Sequence, residues 1–185
     1  MGAHQAMCGW QQARYEEAIA HYERAAQLVE NDLFSLCNLT MCYEALGWRE
    51  RLESAARQAF GRIEQEVVAH PDSPIALALG ATMLGKLGET ERAKQWASRA
   101  LATDPDDPGI LYNVVAALAR TGQSDQALDM LESCIPRLSP EHINWVKKDT
   151  DQISLLDHPR YQNLIARGEV RLAAAQVERA SKEGG

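Results

Sequence analysis

Aromatic residues are scarce in this 185-residue sequence: Phe, Trp and Tyr together make up 6%. Strands draw on β-branched and aromatic residues, whereas Ala and Leu, abundant here, are the strongest helix formers. Basic clusters are missing as well. With a net charge of −7, the chain has no positive face with which to neutralise phosphates. That argues against nucleic acid and against an anionic membrane surface as partners. No apolar run reaches the length of about 18 residues that a membrane-spanning helix needs. The opening Met1-Gly2-Ala3-His4 has no basic flank leading into an apolar stretch, so no signal peptide is read there. The expectation is a cytoplasmic protein, or the cytoplasmic part of a larger one.

Reactive groups are equally thin. The four cysteines, Cys8, Cys37, Cys42 and Cys134, are too few and too dispersed for a disulfide framework and are expected as buried thiols. Cys37 and Cys42 lie five apart, which turns them to different sides of a helix. None of His4, His21, His70, His142 and His158 lies three or four residues from another His or Cys in a ligand arrangement. Acidic neighbours such as Glu16-Glu17 and Asp106-Asp107 diverge on a helix. They suit a solvated face or a helix N-terminus, where negative charge is favourable. No phosphate loop, dinucleotide turn or nucleophile–histidine arrangement is found. The chain is therefore expected not to be an enzyme, with no metal and no cofactor.

What is present is a repeat. Segments opening at Ala13, Gly47, Gly88 and Gly122 carry Ala18, Leu52, Ala93 and Ala127 five residues on. Seven further on come Ala25, Ala59, Ala100 and Cys134. A small residue once per unit is what two closely crossing helices require. The glycines fall where one helix stops and the next begins, a position that favours left-handed backbone. Ahead of each glycine lies another stretch with apolar residues at the helical spacing of three and four. Helix starts are marked by Asn31-Asp32, Ser73-Pro74, Asp107-Pro108 and Ser139-Pro140, each a capping residue, three of them followed by proline. The spacing is 34 residues from Ala18 to Leu52 and again from Ala93 to Ala127, but 41 from Leu52 to Ala93. The seven extra residues extend one helix, which runs unbroken to His70-Pro71, by about two turns.

These residues resemble the tetratricopeptide repeat, a 34-residue helix-turn-helix unit. The likeness runs from Gly9 to about Pro136, with Arg14-Tyr15-Glu16-Glu17-Ala18, Tyr22 and Ala25, and Gly88, Ala93, Ala97, Ala100 and Pro105, as its best-matched positions. The second repeat departs by having Leu52 for the small residue and no terminal proline. A narrower resemblance covers Trp145-Val146-Lys147-Lys148-Asp149, Asp151, Leu155-Leu156, His158-Pro159-Arg160-Tyr161 and Leu164. These look like the tail that follows such repeats in bacterial multidomain regulators, behind a class III adenylate cyclase, a serine/threonine kinase or a winged-helix domain. The chain is accordingly read as a module of a larger signalling protein.

The resemblance implies an all-α, right-handed superhelix. About four antiparallel helix pairs are expected over 1–136, the first short of its opening turn, followed by two or three C-terminal helices over 137–185. The last helix should run from about Pro159 to Ala180, amphipathic through Leu164, Val170, Leu172 and Val177, and close the final face. The first helix of each pair lines the inner groove. By register that places Phe34, Cys37, Asn38, Met41 and Glu44, then Ile75, Ala78, Thr82 and Lys86, then Tyr112, Asn113, Ala116 and Arg120 along it. Asn38 and Asn113 share a register suited to a peptide backbone, and Lys86 and Arg120 share one suited to a carboxylate. The lysine–asparagine clamp of chaperone-binding repeats is not reproduced, because Cys37, Met41 and Ala78 stand at its positions. Either a peptide or protein partner occupies the groove, or the tail or another domain of the same protein covers it. Self-association into a homodimer is the alternative use of the surface.

Overall fold

Helix ends organise this molecule. The computed structural model describes residues 2–29, 32–139, 143, 146 and 150–183, with side chains described between 14 and 174 apart from position 153. Among the described residues there are eight α-helices and no strand. They are α1 (Gly2–Leu28), α2 (Leu33–Ala45), α3 (Arg49–Ala69), α4 (Pro74–Lys86), α5 (Thr90–Thr103), α6 (Pro108–Arg120), α7 (Ser124–Cys134) and α8 (Pro159–Glu183). Short 3-10 segments occupy Ile135–Arg137 and Thr150–Leu155.

The three hairpins α2–α3, α4–α5 and α6–α7 turn at Gly47, Gly88 and Gly122, whose φ angles are +70°, +77° and +77°. Each turn closes in the same way. The glycine N–H donates three residues back, as Gly88 to Gly85 O at 3.1 Å. The next N–H donates five residues back, as Glu89 to Leu84 O at 2.9 Å. This double closure is the Schellman stop, and it needs left-handed backbone at the glycine. No atom lies within 4 Å of a Cβ built on Gly88, so Gly88→Ala adds backbone strain alone. The expected cost is about 1–2 kcal/mol, read as a lower urea midpoint at unchanged slope.

Helix starts follow the sequence. Asp32 caps α2 by accepting from Phe34 N at 2.9 Å and Ser35 N at 3.0 Å, and Asp107 caps α6 by accepting from Ile110 N at 2.9 Å. Ser73 sits at the start of α4, where its side chain makes no capping bond and Pro74 supplies the preset backbone. His158 performs the same office for α8, its Nδ1 accepting from Arg160 N at 3.2 Å. The length of α3, 21 residues against 14 in α5, accounts for the seven-residue insertion. Near its far end Val67 is buried while Val68 is 78% exposed.

One expectation, the inward face of α8, is corrected. Over the stretch where the first helix pair was expected, α1 runs as one continuous helix through residue 28. Ala13 stands in the register of Gly47, and alanine pays for left-handed backbone where glycine does not, so nothing stops the helix there. Among the described residues the array comprises one long helix, three hairpins and a C-terminal cap. In α8 the inward residues are Tyr161, Leu164, Ile165 and Gly168, with Leu172 partly buried, whereas Val170 is 70% exposed. Asn31, Pro140, Trp145 and the side chains of Cys8, Trp10 and Val177 lie outside the described residues.

Small side chains dominate the crossings. The buried face of α5 consists of Ala93, Ala97 and Ala100, and α5 packs between α4 and α6. Gly80 leaves the space that the Trp96 ring fills; a Cβ there would overlap ring atoms Cε3 and Cζ3. The Trp96 ring also packs on Phe60, with centroids 5.2 Å apart. The stack of hairpins is thus an all-α, tetratricopeptide-like superhelix, closed at its far end by α8 against α7 and Ile135–Arg137.

Candidate functional site

The first helices of the hairpins, α2, α4 and α6, contact one another in series, and the Thr150–Leu155 segment lies against α6 and α2. At the centre of that contact is a group of four ionised side chains. Lys86, the last residue of α4, has a fully enclosed side chain. Its ammonium meets Glu44 Oε2 of α2 at 2.9 Å and the Asp151 carboxylate of the 3-10 segment. Arg120, the last residue of α6, donates from Nε to Asp151 Oδ1 at 3.2 Å and from its terminal nitrogen to Glu44. Two cations and two carboxylates from three helices and the tail therefore compensate one another. Burying such charges costs several kcal/mol per ion before pairing, so removal of any member leaves an uncompensated charge.

The remainder of the segment is held unevenly. Ser154 donates to Ala119 O at 3.1 Å, and Leu155 is fully buried. Gln152 is also fully buried, and among the described residues neither atom of its amide has a hydrogen-bond partner; Thr150 Oγ1 has none there either. An orphaned buried polar group costs about 1–3 kcal/mol. Behind the segment, Tyr161 donates to Val146 O at 3.0 Å, and Arg160 pairs with Asp129 at 2.7 Å and Glu132 at 2.8 Å, tying α8 to α7.

The residues expected along the groove divide into two sets. Glu44, Lys86 and Arg120 converge on Asp151. Thr82 is 2% exposed and donates to Asn113 O at 3.0 Å, bridging α4 and α6. Asn113 in turn donates to Gly109 O at 2.8 Å within its own helix. Asn38 hydrogen-bonds the Tyr22 hydroxyl of α1; burial raises that phenol above its usual pKa, and this bond opposes the shift. Neither asparagine amide is therefore idle. Met41 and Tyr112 are half-buried, Phe34 is 53% exposed, and Cys37, Ala78 and Ala116 are buried. Asp151 was not among the expected groove residues. Its only mark in the sequence is a place in a tail that breaks the repeat.

Burial governs the thiols. It pushes Cys37 up to about 12 and Cys134 up to about 11, and raises Cys42 too, so all three are protonated at neutral pH and unsuited to nucleophilic attack. Among the described residues no group of three His, Cys, Asp or Glu is arranged to hold a metal ion. No described helix is long and apolar enough to cross a membrane. A second concavity, of about 700 Å³, opens between α1 and α3 over α2. Tyr43 donates across it to Glu23 at 2.7 Å, and Arg62 reaches Ala26 O at 2.8 Å. Those bonds fasten α1 to the array.

This architecture is an all-α helical repeat of tetratricopeptide-like fold. A tetratricopeptide-repeat family model matches residues 3–32, a stretch whose described part is almost wholly α1. Among solved structures the chain is similar to one described as the crystal structure of MamA. The two are 18% identical over 89% of this chain and 94% of that one, with a TM-score of 0.45. It is also similar to a MamA RS-1 ArsTM double mutant, 17% identical over 95% of this chain and 98% of that one, with a TM-score of 0.41. At those values neither likeness carries a functional conclusion. No curated protein matches the chain.

Proposed function

We propose that the chain is a protein-interaction scaffold whose inner groove takes an acidic peptide segment of a partner protein. One observation carries this reading. Lys86 and Arg120, at equivalent positions on successive hairpins, hold the carboxylate of a non-repeat segment laid across the first helices. A repeat array offers such a groove as its extended recognition surface, and two converging cations select a carboxylate. The partner is a domain of the same signalling protein or a separate chain. The resemblance of the tail to that of bacterial multidomain regulators supports an adenylate cyclase as the attached domain, with a kinase or a transcriptional regulator as alternatives.

Selection from a random peptide library on the immobilised chain tests the groove. Recovered peptides should be enriched in Asp and Glu, and Arg120→Glu should abolish their capture. Sequences without acidic enrichment, or capture untouched by Arg120→Glu, would refute the reading. Self-association is a second reading, supported by Leu28, Val29 and Phe34, which are 73%, 52% and 53% exposed around the α1–α2 connection. Sedimentation at several concentrations decides it: a strict monomer removes it.

A further inference from the structure

The Thr150–Leu155 segment enters the groove as a short 3-10 turn and not as another repeat helix, with Gln152 at non-helical backbone angles. Its described ion pairs all run through one side chain. Asp151, 7% exposed, contacts both Lys86 and Arg120. Immediately beside it, the fully buried Gln152 amide and the Thr150 hydroxyl have no partner among the described residues. Buried polar groups in a permanent core are almost always paired. A carboxylate gripped by two cations, flanked by polar groups that the surroundings do not satisfy, is the profile of an occupant that can be exchanged.

We infer that residues 150–155 are a built-in ligand of the groove, which an acidic peptide of a partner displaces by putting its own carboxylate on Lys86 and Arg120. This rests on the proposed reading of the groove as a peptide site. The charge count fixes the incoming chemistry. Once Asp151 leaves, Lys86 and Arg120 retain, among the described residues, the Glu44 carboxylate, one for two cations. An apolar or basic segment cannot restore that balance, whereas an Asp or Glu side chain can. Binding and release of the tail are then one event, so the partner moves α8 and whatever follows the groove segment in the chain. The apparent affinity for a partner is lowered by the fraction of molecules in which the tail is docked.

The test uses a fluorescent peptide copying residues 148–157 as the probe, with anisotropy as the readout, on the full chain and its variants. Asp151→Lys sets a third cation against the pair and ejects the segment without altering the groove. The probe should bind this variant at least about ten-fold more tightly than the wild type, for a docked-to-free ratio of about ten. A probe carrying Asn in place of its Asp151 should lose that gain. A folded Asp151→Lys chain that binds the probe no better than the wild type overturns the inference. If that variant does not fold, hydrogen exchange on the wild type decides instead. Saturating probe should speed exchange of the 150–155 amides, and unchanged protection would overturn it. The two levels separate cleanly. Gain of probe binding without any library hit keeps the built-in ligand and removes the outside partner. Library peptides that bind while the segment stays protected do the reverse.

Discussion

Lys86→Met is expected to destabilise the chain by about 3–5 kcal/mol, the usual consequence of removing one partner from a buried ion pair. Methionine matches lysine closely in length and volume, so no large cavity is made and the loss reports charge. Lys86 is fully enclosed, and the carboxylates it serves are 23% and 8% exposed at Glu44 and Asp151. With the ammonium gone, both must share Arg120 in surroundings that water reaches poorly. Equilibrium urea unfolding followed by circular dichroism measures the effect. The exposed pair Arg57–Glu53, with side chains 65% and 53% exposed, provides the contrast: Arg57→Met should change stability by about 0.5 kcal/mol or less. A loss at Lys86 as small as that would mean the four charges are solvated and the groove is open.

Ala93→Leu is expected to cost about 1–3 kcal/mol through overpacking. Alanine and leucine differ little as helix formers, so the substitution reports the space between α5 and its neighbours. That space is a methyl deep, since Ala93, Ala97 and Ala100 are all 2% exposed or less and form the entire buried face of α5. Ala102→Leu on the exposed face of the same helix is the control, with an expected change of about 0.5 kcal/mol or less. Equal effects at the two positions would show that close helix crossing is not what the recurring alanines provide.

The contrast between these two substitutions also marks what the sequence could reveal. The small residues at most crossings, the glycine at each hairpin turn and the extra two turns of α3 are local signals, and all could be placed before any coordinates. The shared register of Lys86 and Arg120 was equally visible, because both sit two residues ahead of a turn glycine. Their occupant was not. Asp151 lies 65 residues from Lys86 and 31 from Arg120, in a segment without repeat periodicity. Only the folded path of the tail brings it there. At Ala13 the repeat pattern lacks the glycine that marks the other three turns, and α1 runs through that position.

A double-mutant cycle on Lys86 and Asp151 is the most direct measurement of whether the tail closes the groove. Lys86→Met, Asp151→Asn and the double variant should show a coupling of at least about 1 kcal/mol, as contacting charged residues do. A coupling indistinguishable from zero, with all three variants folded, would contradict the account.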